Sequence, residues 1–214
     1  MEPQHMLPIY EILAQDLKDL GIDVVFGLVS DDTVLFATAL DMIGVRFHGA
    51  RHENSAIAMA EGYAATTGRL GVAIVGRGPA TANGLHGAVY ASRTGSPVLI
   101  IYGDAATGGT ALNPLGPDYK EFNAVGVLSA AGLRVFRATS AAGARAALAD
   151  AAAAAWPGNT AALLLPTNVQ TSKLEIDNDD RPFSTMPTLP APEKARPHAI
   201  ETVAEILKNS AQPL

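Results

Sequence analysis

Val45-Arg46-Phe47-His48-Gly49-Ala50-Arg51-His52-Glu53-Asn54-Ser55-Ala56-Ile57-Ala58-Met59-Ala60-Glu61-Gly62-Tyr63-Ala64 passes from a strand signal into a helical one within a few residues. Residues 45–48 read as a strand, residues 53–67 as a helix stopped by Gly68, and residues 71–75 as the next strand. A strand–helix–strand unit whose second strand is apolar without alternation belongs in a parallel sheet covered on both faces. Glu53 stands at the turning point of this unit, at the carboxyl end of one strand and in the first turn of a helix. Open parallel sheets bind their ligands at that edge. The ordinary reading of such an acid is a helix-start carboxylate stabilised by the helix dipole by about 0.3–1 kcal/mol. Position alone favours that ordinary reading.

The same alternation extends in both directions. Upstream, Ile9, Ile12, Leu13, Leu17 and Leu20 recur at helical spacing, with Gly21 as the expected C-cap. A short buried strand over residues 23–27 follows. Leu35, Phe36, Leu40 and Ile43 then predict a second helix, with Asp31 or Asp32 as its N-cap. Downstream, a helix is predicted over residues 81–93 and a strand over 97–102, Pro97 taking its first position. Residues 103–118 are rich in Gly, Pro and Ala and read as a loop. Helices over 122–131 and 140–156 flank a strand at 133–136, and a last strand at 161–165 ends at Pro166. The expected fold is α/β, a three-layer α/β/α sandwich with a mostly parallel, roughly six-stranded sheet. Residues 1–172 form this domain and residues 173–194 a linker. Residues 195–214, with Ile200, Val203, Ile206 and Leu207 on one helical face, form the truncated start of a further domain.

Bulk properties bound the function. The 214 residues suit one good-sized domain or a domain plus part of another. With 48% hydrophobic and 17% charged residues, a buried α/β core is accessible. A net charge of −6 argues against nucleic acid or an anionic membrane as a partner. The absence of cysteine excludes disulfides, thiolate metal sites and a cysteine nucleophile. Met1-Glu2-Pro3-Gln4-His5 carries no secretory signal, and no stretch approaches the ~18 apolar residues of a membrane span, so a cytoplasmic location is expected.

The motifs are individually weak. Gly76-Arg77-Gly78-Pro79-Ala80-Thr81-Ala82-Asn83-Gly84 lies between a strand and a helix, where glycines allow close backbone approach and a helix N-terminus favours anions. It is not the dinucleotide fingerprint, whose third glycine is replaced by Thr81, nor a P-loop. A tight turn without a ligand is the equal alternative. Asp104 lacks a second acidic or Asn ligand for Mg²⁺ and reads as a loop residue. His48, His52 and His86 lack metal spacing, and no residue is assigned to a metal. Glu61, on the same helix as Glu53, reads as a satisfied packing residue. No Gly-x-Ser-x-Gly elbow is present.

Together these segments resemble the N-terminal pyrimidine-binding domain of thiamine-diphosphate enzymes, in the acetolactate synthase-like branch. The similarity covers residues 5–169. It rests on Gly21-Ile22-Asp23-Val24-Val25-Phe26-Gly27, on Arg51-His52-Glu53 with Ala60-Glu61-Gly62-Tyr63-Ala64, and on Gly68. It continues through Gly78-Pro79 with Asn83 and Gly87, Ser96-Pro97-Val98-Leu99, and Leu163-Leu164-Leu165-Pro166 before Asn168-Val169. The resemblance implies that Glu53 shares a proton with a ring nitrogen of the aminopyrimidine and so controls its tautomer, ahead of 2-oxo acid decarboxylation or carboligation. It implies that Gly78 and Pro79 line the pyrimidine pocket and that Asn83 braces the turn behind it. The electron sink is the cofactor, thiamine diphosphate, while the protein supplies positioning.

The departures are also specific. Where the family often has a Pro-Gly-Gly turn, this chain has Leu28-Val29-Ser30-Asp31-Asp32. A small residue usually precedes the Gly-Pro pair; here it is Arg77. A glutamine that relatives place near the active site aligns with Lys120. The Gly-Asp-Gly motif and downstream Asn, which hold Mg²⁺ and the diphosphate in relatives, do not appear as a pair. Those contacts are therefore expected from a domain absent here, supplied across a homo-oligomer by a second chain, and this chain alone is expected to be inactive. Two other readings stand beside this one: the small subunit of a split 2-oxo acid decarboxylase, and a non-catalytic interaction module of the same fold.

Overall fold

In the computed structural model, residues 5–108, 118–176 and 194–211 are described. Strand β1 (His5–Pro8) leads directly into helix α1 (Ile9–Asp19), which is followed by β2 (Val24–Gly27), α2 (Val34–Met42) and β3 (Arg46–Gly49). Next come α3 (Glu53–Thr67), β4 (Gly71–Val75), α4 (Pro79–Thr94) and β5 (Val98–Asp104). The remaining elements are α5 (Ala124–Ala130), β6 (Arg134–Arg137), α6 (Ala141–Ala155), β7 (Thr160–Pro166), α7 (Thr167–Thr171), β8 (Lys173–Ile176) and α8 (Pro197–Asn209).

Six strands form one parallel sheet in the order β3-β2-β4-β5-β7-β6. The four inner strands are buried on both faces, which is why they are apolar without alternation. Their side chains divide by strand pleat. Val72, Ile74, Leu99, Ile101, Leu163 and Leu165 join a core with α1, α2 and α6. Ala73, Val75, Ile100, Tyr102, Ala162 and Leu164 join a second core under α3, α4 and α5. The result is the expected three-layer α/β/α sandwich.

Chain order reverses between β2 and β4. From β2 the chain crosses by α2 to β3 on one side, and from β4 it crosses by α4 to β5 on the other. The loops leaving β2 and β4 therefore start from a topological switch point at the carboxyl edge, where sheets of this kind take ligands in a crevice.

Most boundaries match the sequence reading within two or three residues, but β1 and α7 are additional elements and four further places differ. The cap of α2 is Thr33, without a side-chain capping bond, and not Asp31 or Asp32. Asp32 is drawn instead to buried cations, whose charge-assisted bonds outweigh a cap worth about 1 kcal/mol. Strand β5 runs on through Gly103 and Asp104, the start of the expected loop, because both pair in register with Leu165 and Pro166 of β7. The rest of that loop from 109 to 117 lies outside the described residues. Helix α5 begins after Phe122, at Ala124, where the Asn123 side chain accepts from the Gly126 N–H. Finally, residues 173–176, the opening of the expected linker, form β8 and pair antiparallel with β1. The linker from 177 to 193 lies outside the described residues. Beyond it, α8 forms as expected, with Ile200, Val203, Ile206 and Leu207 each 53–63% exposed.

Candidate active site

Glu53 opens α3 immediately after the turn from β3, half-buried at the carboxyl edge of the sheet. His52 caps the helix: its Nδ1 accepts from the Asn54 N–H at 3.1 Å, which fixes the direction in which α3 departs. Alongside, α4 starts at Pro79, whose missing N–H costs nothing at the first helical position. Gly78 caps α4 with φ 64° and ψ −115°, a conformation that L side chains rarely adopt. A Cβ there would also lie 2.2 Å from the Lys120 carbonyl oxygen. Both backbone geometry and space require glycine.

Helices α3 and α4 pack closely at Gly84, where an added Cβ would lie 2.7 Å from Ile57 Cδ1 and 3.7 Å from Glu53 Cβ. That approach brings Asn83 to Glu53: Asn83 Nδ2 donates to Glu53 Oε2 at 3.1 Å. Of the four site residues named from sequence, Glu53 and Asn83 therefore touch, while Gly78 and Pro79 form the turn that launches the helix carrying Asn83. The Asn83 amide reaches across to the other helix. Among the described residues, Glu53 Oε1 has no hydrogen-bond partner.

The other polar residues have distinct occupations. Glu61 Oε1 accepts from the Ser96 hydroxyl at 2.8 Å, as a packing residue should. His48 stacks on Phe26, and His86 meets Asn54 Oδ1 at 3.3 Å. Asp104 is held by the Arg137 guanidinium at 2.6 Å. Among the described residues no cluster of three or more His, Asp or Glu is arranged to hold a metal. Tyr102, fully buried beneath α4, has a hydroxyl without a partner among the described residues, and burial pushes its phenol pKa up. Sequence reasoning passed over Tyr102 as an ordinary strand apolar.

Sequence reasoning also missed that the departures meet. Arg77 Nε donates to Asp32 Oδ1 at 2.9 Å, and its two terminal nitrogens grip Asp118 at 2.8 and 2.9 Å. Lys120 Nζ donates to Asp32 Oδ2 at 3.0 Å and pairs with Asp31. The Lys120 backbone N–H donates to Asp118 Oδ1 at 3.0 Å, which closes a ring of four residues. Arg77 is only 6% exposed and the Asp32 side chain 4%, whereas Asp31 is 72% exposed. The ring bridges the loops after β2 and β4, spanning the crevice at the switch point. The guanidinium beside Asp118 and the ammonium beside Asp31 hold both carboxyls below their usual range. Those two acids in turn hold Arg77 and Lys120 above theirs, against the opposing effect of burial. The available signal was the coincidence of two unusual cations with Asp-Asp and Asp118 at neighbouring loop positions.

The fold and the site define a class: a doubly wound domain that offers a carboxylate and a glycine turn at its ligand-binding edge. The family follows from comparison with known proteins. The sequence profile of the thiamine pyrophosphate enzyme N-terminal TPP binding domain matches residues 8–127, and the chain belongs to that family. It is 32% identical over 119 residues to the acetolactate synthase large subunit of Haemophilus influenzae, covering 55% of this chain and 20% of that protein. It is 34% identical over 103 residues to the acetolactate synthase isozyme 3 large subunit of Escherichia coli, covering 48% and 18%. It is also 35% identical over 97 residues to 2-hydroxyacyl-CoA lyase 2 of Danio rerio, covering 45% and 16%. The matched region spans a fifth or less of each relative. These matches support the acetolactate synthase-like branch.

Proposed function

We propose that this chain supplies the pyrimidine-activating half of a thiamine-diphosphate active site, with Glu53 as the proton-sharing carboxylate. The observation that carries this reading is the bond from Asn83 to Glu53. An amide N–H occupying Oε2 makes that oxygen an acceptor, so a proton held by the carboxyl resides on Oε1, the oxygen left open. The carboxylate is thereby oriented before any ligand arrives.

The residues fit an aminopyrimidine. Glu53 offers one oriented oxygen to a ring nitrogen, and the Gly78-Pro79 turn offers backbone for the ring to lie against. Bound thiamine diphosphate supplies the electron sink for a 2-oxo acid. The protein's part is to hold the ring and to exchange a proton at Oε1. The diphosphate and Mg²⁺ contacts come from a second domain, on a second copy of the enzyme in a homo-oligomer. The substrate is a 2-oxo acid, the reaction decarboxylation or carboligation, and the isolated chain is inactive.

One observation favours a second reading. The charged ring spans the crevice, as a non-catalytic module that had closed its site would. A single experiment separates the two. In the natural enzyme with its diphosphate domain, Glu53→Gln is expected to slow proton exchange at the cofactor C2 by about a hundredfold or more, the scale of a lost general acid–base group. An unchanged exchange rate removes Glu53 from this role and leaves the interaction module standing.

A further inference from the structure

The ring at the switch point does more than neutralise its own charges, because it ends on the turn that begins the site helix. Arg77 immediately precedes Gly78. Its guanidinium grips Asp118 in a two-pronged contact, and Asp118 Oδ1 in turn accepts the backbone N–H of Lys120. That bond holds Lys120 from its N–H side and the Glu121 N–H, donating to the Asp118 carbonyl at 2.9 Å, holds the next peptide, so that the Lys120 carbonyl carbon and oxygen lie against Gly78, closer than any side chain there would allow. The far side of the ring is anchored in the protein interior. Asp32 receives Arg77 Nε and the Arg77 backbone N–H, and its main-chain carbonyl accepts from buried Gln170. Gly103, at the end of β5, leaves just enough room for it: an added Cβ would lie 2.7 Å from Asp32 Cβ.

We propose that Arg77 is a positioning residue for cofactor activation: it clamps the 118–120 segment onto the Gly78-Pro79 turn and so sets the azimuth of α4, from which Asn83 orients Glu53. This rests on the reading of Glu53 given above. The path is continuous and short. It runs from Arg77 through Asp118 and the Lys120 peptide to Gly78, then one helical turn along α4 to Asn83, then to Glu53. A planar, two-pronged donor suits this task because it fixes orientation as well as distance, which an ammonium does not. Lys120 completes the ring through its side chain, but its part in the positioning is played by its backbone. Among the described residues the Arg77 side chain makes no hydrogen bond to Glu53, so its effect is exerted through the turn that follows it.

The test uses the natural enzyme loaded with thiamine diphosphate and Mg²⁺, and compares Arg77→Met, Arg77→Lys and Asp118→Asn. Two properties are read: the near-ultraviolet circular dichroism of the bound aminopyrimidine, which reports its tautomer, and the rate of limited trypsin cleavage after Lys120, which reports whether the clamp is closed. Opening the clamp in Arg77→Met is expected to speed cleavage and to shift the tautomer signal. Proton exchange at C2 should slow about ten- to a hundredfold at saturating cofactor, the scale of a misplacement near 1 Å. Arg77→Lys keeps the charge, and should restore folding yields without restoring the tautomer signal. If Arg77→Met does not fold, Asp118→Asn, which alters only the partly exposed end of the clamp, carries the same expectation. Faster cleavage with an unchanged tautomer signal overturns the proposal and leaves the role of Glu53 intact. Unchanged cleavage also overturns it, since Arg77 would not then be what holds the segment. An unchanged tautomer signal in Glu53→Gln overturns the underlying reading, and this proposal with it.

Discussion

Asn83 Nδ2 lies 3.1 Å from Glu53 Oε2, and this bond joins the first turn of α3 to the beginning of α4. The two helices leave different strands at the carboxyl edge, and Gly84 lets them approach closely enough for the bond to form. Asn83→Ala removes the donor from a half-exposed carboxylate, so stability should fall by only about 0.5–1.5 kcal/mol. Proton exchange at the cofactor C2 in the natural enzyme should slow about tenfold or more, because Glu53 loses its orientation. Urea melts and the exchange rate, measured on the same preparation, check both. A large loss of stability with normal exchange would assign Asn83 to packing instead.

Gly78 faces two constraints at once, a positive φ of 64° and a peptide 2.2 Å from where a Cβ would stand. Gly78→Ala should therefore destabilise the domain by more than the roughly 1 kcal/mol of an ordinary glycine substitution, and about 1–3 kcal/mol is expected. The midpoint of a urea melt gives the answer. A variant as stable as the parent would show that the turn and the 118–120 segment yield easily.

Asp118 of the ring and Asp31 beside it predict a pH dependence. Arg77 holds the Asp118 carboxyl below its ordinary value of 3.8, and Lys120 does the same for Asp31. Folded values lower than unfolded ones mean that the unfolded chain binds protons first as pH falls. Their stabilisation is then present in full above the ordinary carboxylate range and is lost as pH drops through the depressed folded values. Melts between pH 2 and 6 should show the parent losing stability more steeply at the acid end than Asp118→Asn does. Parallel curves would mean that the pairs add nothing to stability.

On the other face of the sheet, Arg145 Nε and its terminal nitrogen donate to the two oxygens of Asp16 at 2.9 and 2.7 Å, tying α6 to α1. Burial still raises the Asp16 pKa above its ordinary value, in spite of this partner. Arg145→Met leaves that carboxylate buried without its guanidinium, and a loss of about 3–5 kcal/mol is expected at neutral pH. The deficit should narrow as pH falls, because the variant folds more readily once Asp16 takes up a proton. Chemical denaturation at two pH values distinguishes this from a simple loss of packing, which would not depend on pH.

The order of elements was legible because the inner strands carry apolar residues on both faces, and because Gly68 and Ser140 mark helix ends in ways that tertiary packing did not override. Glu53 was legible for a related reason: a charged residue at a strand–helix junction stands out against the apolar run before it. The partners of Arg77 were hidden, since Asp32 and Asp118 are 45 and 41 residues away in sequence and meet it only when β2 and β4 lie side by side. Asp32 was misread as a cap because the local rule for helix starts takes no account of a buried cation arriving from another loop. Strand β8 was missed although Lys173-Leu174-Glu175-Ile176 alternates polar and apolar residues, because the acidic, proline-rich stretch that follows dominated the reading.

The four-membered ring has a consequence for how such a site changes over generations. Arg77, Asp32, Asp118 and Lys120 neutralise one another in a place that water scarcely reaches. Replacing Arg77 by the small residue usual in relatives would leave Asp32 with Lys120 alone and Asp118 without its guanidinium; replacing Asp32 first would leave Arg77 with Asp118 alone. Every single-step route back to the common pattern leaves the ring with a surplus charge in a largely buried place, where an imbalance of charge is costly. The ring therefore behaves as a block, and a laboratory graft of the common turn keeps charge balanced when its members are exchanged together.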